Sequence, residues 1–262
     1  MELELKKECL DTYELGEPQT LTQEETAETI VPDYCPDIAR IISAEGVVCL
    51  HGGTEQDGVT GTVRVTVLYT PENESGVRAL EFAMPFSAQG EGLAGCAHVV
   101  VETEIELLES RMLNPRKIFT RCKLVTHLAG CRKVCLTISS DAETDPALLV
   151  EKRCCGQTVS LLRQVAEKDL TFSETMSLSL GREGAAELLH CRANGIVTET
   201  KAIGNKLIFK GVFLVSALYR TIGGQLASAS AELPFSQIME TDSTEENTQV
   251  SMRLRITGTD IQ

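Results

Sequence analysis

Tryptophan is absent from this 262-residue chain, and seven Phe with four Tyr make up its whole aromatic complement. Stacking platforms for bases or sugars are hard to build from so few rings. Cations are short as well: 24 Lys and Arg stand against 38 Asp and Glu, a formal net charge of −14. Affinity for nucleic acid comes largely from Lys and Arg displacing counterions, so a phosphate-binding surface is not expected. No apolar run approaches the roughly 20 residues of a membrane-spanning helix. Met1-Glu2-Leu3-Glu4-Leu5-Lys6-Lys7 is not followed by the stretch of roughly 7–15 apolar residues that a signal peptide requires. The expectation is a protein that inserts in no membrane and stays in the compartment where it is made. With 42% apolar residues the chain is too rich in core material for disorder.

Catalytic apparatus is equally scarce. The histidines are His51, His98, His127 and His190. There is no phosphate loop, no G-x-S-x-G elbow and no H-E-x-x-H zinc motif. The glycines between Gly90 and Gly95 sit among acidic residues and read as a loop. Neither an enzyme nor a cofactor is expected. Ten cysteines are present without a C-x-x-C pair, and the absence of a secretory signal favours reduced, mostly buried thiols. Cys122, His127, Cys131 and Cys135 have the residue types that hold zinc. Strand parity places Cys122 and His127 on opposite faces, which speaks against convergence. The adjacent Cys154 and Cys155 are expected to face opposite ways for the same reason. A small-ligand or metal-binding β module stands as the alternative to the function favoured below.

What the chain does contain is a repeat. Gly61-Thr62-Val63-Arg64-Val65-Thr66-Val67-Leu68-Tyr69 returns as Gly211-Val212-Phe213-Leu214-Val215-Ser216-Ala217-Leu218-Tyr219, an offset of 150. Pro85-Phe86-Ser87 returns as Pro234-Phe235-Ser236 at 149. Leu21-Thr22 with Glu25-Thr26 returns as Leu170-Thr171 with Glu174-Thr175, and Gly46 as Gly195, both again at 149. Landmarks that agree within one residue describe two copies of one unit, and repeats of this kind decide the fold.

The unit reads as strands. Val59, Val63, Val65, Val67 and Tyr69 alternate with Thr60, Thr62, Arg64 and Thr66, the period of a half-buried strand. Leu80, Phe82 and Met84 continue the pattern after a turn. Val99, Val101, Ile105 and Leu107 form another strand, with Val250, Met252, Leu254 and Ile256 as its counterpart. One short helix is expected in each unit. Pro36 suits a first helical position, Ile38, Ile41 and Ile42 share a helical face, and Gly46 ends the run. The counterpart is Glu183 to Asn194, with Ala185, Leu188 and Leu189 inward. Asp33 and Asp37 then read as carboxylates favoured by the helix dipole. The predicted fold is mainly β: two tandem β-sandwich-like repeats, each with one short helix, spanning 1–144 and 145–262. The boundary is set by the polar stretch Ser139–Pro146. The second repeat is expected to be incomplete at its carboxy-terminal end: either another copy of the chain supplies the missing strands, or the sequence is a fragment of a longer array.

Opposite charges mark one equivalent strand. Glu102, Glu104 and Glu106 line the outward face in the first copy, and Arg253 and Arg255 stand at the matching positions of the second. These five residues are the candidate interaction surface, pairing within the chain or head to tail between chains.

Val31-Pro32-Asp33-Tyr34-Cys35-Pro36-Asp37-Ile38-Ala39-Arg40-Ile41-Ile42 resembles the V-P-D-x-x-P-D-I-x-x-I/V-L signature of the SPOCS domain family. The G-x-V-x-V-x-V-L-Y strand, the Pro85-Phe86 strand end and Leu113-Asn114-Pro115-Arg116-Lys117 are similar to that family's landmarks. The resemblance covers the chain as one full and one partial unit. It implies a cytoplasmic protein of spore-forming bacteria, at work on the mother-cell side of the forespore surface. Such a protein is a non-enzymatic scaffold or adaptor of spore coat assembly. Its implied partners are the stage IV coat-morphogenetic ATPase or other coat proteins. No binding residue is carried over from the family.

Overall fold

Alternation carries through into strands. The computed structural model describes residues 4–51, 58–143, 151, 153, 155–156, 158–173, 184–242 and 248–258. Within them lie β1 (Glu4–Leu15), β2 (Gln19–Ile30), β3 (Ile38–His51), β4 (Gly58–Pro71) and β5 (Arg78–Gln89). They are followed by β6 (His98–Asn114), β7 (Lys117–Glu143), β8 (Ala185–Ile203), β9 (Lys206–Thr221) and β10 (Leu226–Glu240). No helix occurs among the described residues. Glu174 and Thr175 of the repeated landmarks, Leu180–Glu183, Cys154 and Thr144–Pro146 at the expected boundary lie outside them.

All pairings are antiparallel and form three sheets. The 27-residue β7 is the hub of the first. It pairs with β2 over Lys117–Leu128, with β1 over Cys131–Glu143 and with β6 over Lys117–Cys131. At Cys131 both His98 of β6 and Leu15 of β1 are partners, so β1 and β2 follow one another along one edge and β6 takes the other. Every second residue of β7 faces inward: Ile118, Thr120, Cys122, Leu124, Thr126 and Leu128 are buried. Ile118, Cys122 and Leu124 meet Val63, Val65, Val67 and Tyr69 of β4 and Leu80, Met84 and Phe86 of β5 in one apolar core, while Leu128 packs with Val59 and Leu93 in a second, smaller one.

The other two sheets, β3-β4-β5 and β8-β9-β10, are the same object built twice. Gly61 pairs with Phe86 and Gly211 with Phe235. A Cβ on Gly61 would sit 2.5 Å from the Phe86 ring, and one on Gly211 would sit 2.5 Å from the Phe235 ring. In each sheet the aromatic ring covers the backbone that the glycine leaves bare.

The two expected helices are absent, and β-bulges explain the misreading. The register of β3 shifts between Ile38 and Arg40 and again between Ile41 and Ser43. The register of β8 shifts between Ala185 and Glu187 and again between Leu188 and His190. Each bulge inserts one residue and resets the alternation. Two bulges three residues apart turn a period of two into an apparent period of three to four, which is how Ile38, Ile41 and Ile42 imitate a helical face. Gly46 ends no helix. A Cβ there would lie 2.7 Å from Ile105 of β6, so the glycine lets β6 pack down on β3. Gly195 admits Leu254 in the same manner, and Ile105 and Leu254 differ by the repeat offset of 149.

A second correction concerns Val250–Ile256, which joins no ladder. Its side chains alternate between half-buried and exposed as a strand's would, with Met252, Leu254 and Ile256 turned inward. Residues 158–173, at the repeat offset from β1 and β2, are likewise in no strand. The physical reason is that β1, β2 and β6 all pair through β7, and β7 has no counterpart among the described residues.

Cysteine also departs from expectation. β1 and β7 align Cys9 with Thr137 and Asp11 with Cys135, a diagonal that brings the Cys9 and Cys135 Cα atoms within 5.7 Å and joins them in a disulfide.

Candidate functional site

The charged faces meet inside the chain. The Arg253 guanidinium pairs with the Glu102 carboxylate, and Arg255 Nη2 donates to the Val101 carbonyl at 2.9 Å. Thr257 accepts a bond from the Cys49 thiol at 2.6 Å. The 250–258 segment therefore lies between the first unit's β3 and β6 and the second unit's β8. The structure does not gather all five charged residues. Glu106 sits in a bulge between Ile105 and Leu107 and pairs with Lys123 of β7 at 2.8 Å. Glu104 is exposed. Further along the junction, His190 Nε2 lies 3.1 Å from Glu45. Glu187 of β8 receives Arg220 at 2.7 Å and Arg78 of β5 at 3.4 Å. The junction is thus a line of ion pairs between partly exposed side chains. Such pairs fix register more than they add stability.

A denser polar site was missed in the sequence. Arg116, in the turn between β6 and β7, donates through Nη1 to the Cys35 carbonyl at 2.8 Å and to Asp37 at 3.1 Å. Through Nη2 it donates to the Val31 carbonyl at 2.8 Å and to Asp33 at 3.1 Å. The surrounding backbone follows suit: Val31 N reaches the Arg116 carbonyl and Ile38 N the Pro115 carbonyl, both at 2.9 Å. Only a planar guanidinium offers paired donors in this fork geometry. Asp33 and Asp37 are therefore not helix-start carboxylates. They close the β2–β3 loop over the β6–β7 turn, and Val31 and Ile38 on either side are wholly buried. The signal lay in two acidic residues bracketing one loop and a single Arg in a separate Asn-Pro-Arg turn, 79 and 83 residues away.

The zinc-type residues do not converge. Cys122 and Cys131 face the core, His127 bonds Thr20 outside it, and Cys135 is tied to Cys9. No group of three metal-ligating side chains is gathered among the described residues. Burial pushes the Cys122 thiol up to about 11 and raises those of Cys49, Cys131 and Cys191. Metal ligation requires the thiolate, the form that burial disfavours.

An open cleft of about 720 Å³ lies between β3 and the β6–β7 pair, floored by Ile41, Ile42, Leu108 and Phe119. Its cations are engaged: Arg111 stacks 4.9 Å above the Phe119 ring, and Arg121 bonds Glu24 at 2.7 Å.

Among known proteins, the family model described as SipL, SPOCS domain, matches residues 185–262. No curated protein and no solved structure matches the chain. The match begins at β8 and takes in the second meander together with the 250–258 segment. It thus falls on the second unit, whereas Val31–Ile42 and Leu113–Lys117, whose residues resemble the same family, lie in the first. From β8 onward the chain is similar to the SPOCS domain of the SipL family.

Proposed function

We propose that the protein is a non-enzymatic structural or adaptor component of spore coat or envelope assembly, acting through protein–protein contacts. The observation that carries this reading is the similarity of residues 185–262 to the SPOCS domain of the SipL family, which supports a role in sporulation. The architecture is in keeping with it. Long antiparallel strands gathered in three sheets offer extended edges and faces. The polar clusters described above bind the chain to itself. No helix among the described residues is long and apolar enough to cross a membrane. In this reading the protein works in the mother-cell cytosol at the forespore surface. Its partner there is the stage IV coat-morphogenetic ATPase or another coat protein.

The test is crosslinking and affinity capture of the tagged chain from sporulating cells, with partners identified by mass spectrometry. Enrichment of the coat ATPase or of coat proteins over an untagged control is expected. A deletion strain with normal coats, together with capture of no coat component, would overturn the proposal.

A further inference from the structure

β5 and β10 hold the same place in the two three-stranded sheets, yet their outer edges differ in chemistry. β5 carries Arg78 and Glu81 in its first turn of alternation, with Arg78 tied to Glu74 and Glu187, and it packs against β2. Charges and cover of this kind keep an edge from pairing with another chain. β10 opens with Leu226-Ala227-Ser228-Ala229-Ser230-Ala231, six residues without a charge or a proline. Among the described residues β10 pairs with β9 alone. The bonds from Lys168 to the Ile238 carbonyl and from Asp242 N to Gln164 lie at its far end. Leu226 is half-exposed, and Ser228 and Ser230 face solvent.

The sequence of this edge is its own complement. Ala227-Ser228-Ala229-Ser230-Ala231 reads alike in both directions about Ala229. Antiparallel pairing about a two-fold axis at Ala229 sets Ala227 opposite Ala231 and Ser228 opposite Ser230. Leu226 then faces Glu232, so the nearest carboxylates do not face each other. A two-fold interface requires this reciprocity, in which residue i meets j and j meets i. Small side chains allow close approach, and opposed serines exchange hydrogen bonds. Two copies of a chain with net charge −14 meet with least repulsion across a neutral stretch. We propose that β10 is a self-complementary edge through which two copies of this chain join into one continuous sheet, β8-β9-β10 running on into β10-β9-β8.

Sedimentation and light scattering of the full chain across a dilution series test this, with far-UV circular dichroism reporting the fold. The wild type is expected at twice the 28.5 kDa chain mass. The S228K/S230K variant sets lysine opposite lysine and is expected at the chain mass with its strand signal intact. The S228K/S230E variant sets lysine opposite glutamate in the same register and is expected to remain a dimer that salt loosens. A wild type that sediments as a single chain at every concentration would overturn the proposal, as would an S228K/S230K chain that stays dimeric. If S228K/S230E separates as fully as S228K/S230K, the register about Ala229 is wrong. Should a variant fail to fold, the wild-type mass alone decides.

Discussion

The meanders β3-β4-β5 and β8-β9-β10 share their registers, two bulges and a glycine covered by an aromatic ring, yet their inner faces are covered to different extents. Val63 and Val65 of β4 are 0% and 1% exposed. Their counterparts Phe213 and Val215 in β9 are only half-buried. The local pattern is therefore enough to shape a meander, while the depth of its core is set by what lies across it. For the first meander that is β7 with the strands it gathers. The second has the 250–258 segment seated on Gly195 and the Phe172 ring 5.0 Å from Phe213.

The largest test of this equivalence is to remove the two covering rings. Phe86→Ala and Phe235→Ala are each expected to cost about 3–5 kcal/mol, and native-state hydrogen exchange reads the two meanders separately. Losses that differ by more than about 1 kcal/mol, well outside the scatter of equivalent sites, would show that the rings do unequal work. Arg116→Ala is expected to break the symmetry instead. It removes charge-assisted bonds and leaves the Val31 and Cys35 carbonyls without their donor, a loss of about 2–3 kcal/mol. Protection should fall in β3–β5 and stay unchanged in β8–β10. Arg116→Lys is expected to recover only part of it, because an ammonium cannot reproduce the fork.

Alkali should also act first on the first unit. Burial pushes the Tyr69 hydroxyl up to about 12 and the Cys122 thiol up to about 11, from ordinary values of 10.0 and 9.0. A group whose pKa is raised by folding adds stability below its unfolded value, and that stability is lost as pH climbs to the folded value. The urea midpoint of the first unit should therefore fall between pH 9 and 12, and Cys122→Ala should flatten the lower part of that fall. A midpoint constant across this range would refute the assignment. The smallest effect is expected at the junction. Arg253 is largely exposed, so Arg253→Glu should cost less than about 1 kcal/mol. The R253E/R255E double variant should leave the mass of the chain's assembly unchanged, because both arginines are engaged within the chain.

Much of this was legible in the residues. The alternation from Val59 to Tyr69 and its return at Gly211–Tyr219 identify two strands at the centre of two sheets. The opposite charges at Glu102 and Arg253 are visible in the sequence, and these two side chains pair, whereas Glu106 turns to Lys123 instead. The bulges were not legible, because an inserted residue changes the parity that strand reading depends on. Ile38-Ala39-Arg40-Ile41-Ile42 thus carries the spacing of a helix while paired to Pro71, Thr70 and Tyr69. The grip of Arg116 on Asp33 and Asp37 was hidden for a different reason. Both segments stand out in the sequence, but their partnership depends on the return of β7 to β2, which no local pattern encodes. The Cys9–Cys135 link has the same origin, since it exists only once β1 lies along the far half of β7.

The same hub governs the order in which the chain can assemble. β1 and β2 leave the ribosome about a hundred residues ahead of the strand that will pair with them. At roughly 5–20 residues per second they wait on the order of 5–20 s. Through that interval β3, β4 and β5 can already close into a meander, because their partners are near neighbours in sequence. The amino-terminal thirty residues remain unzipped until Lys117–Glu143 arrives and captures β2, β6 and β1 along its length. The last-made strand of the first unit is thus the one that finishes it, and the chain's earliest segment is among the last to find its place.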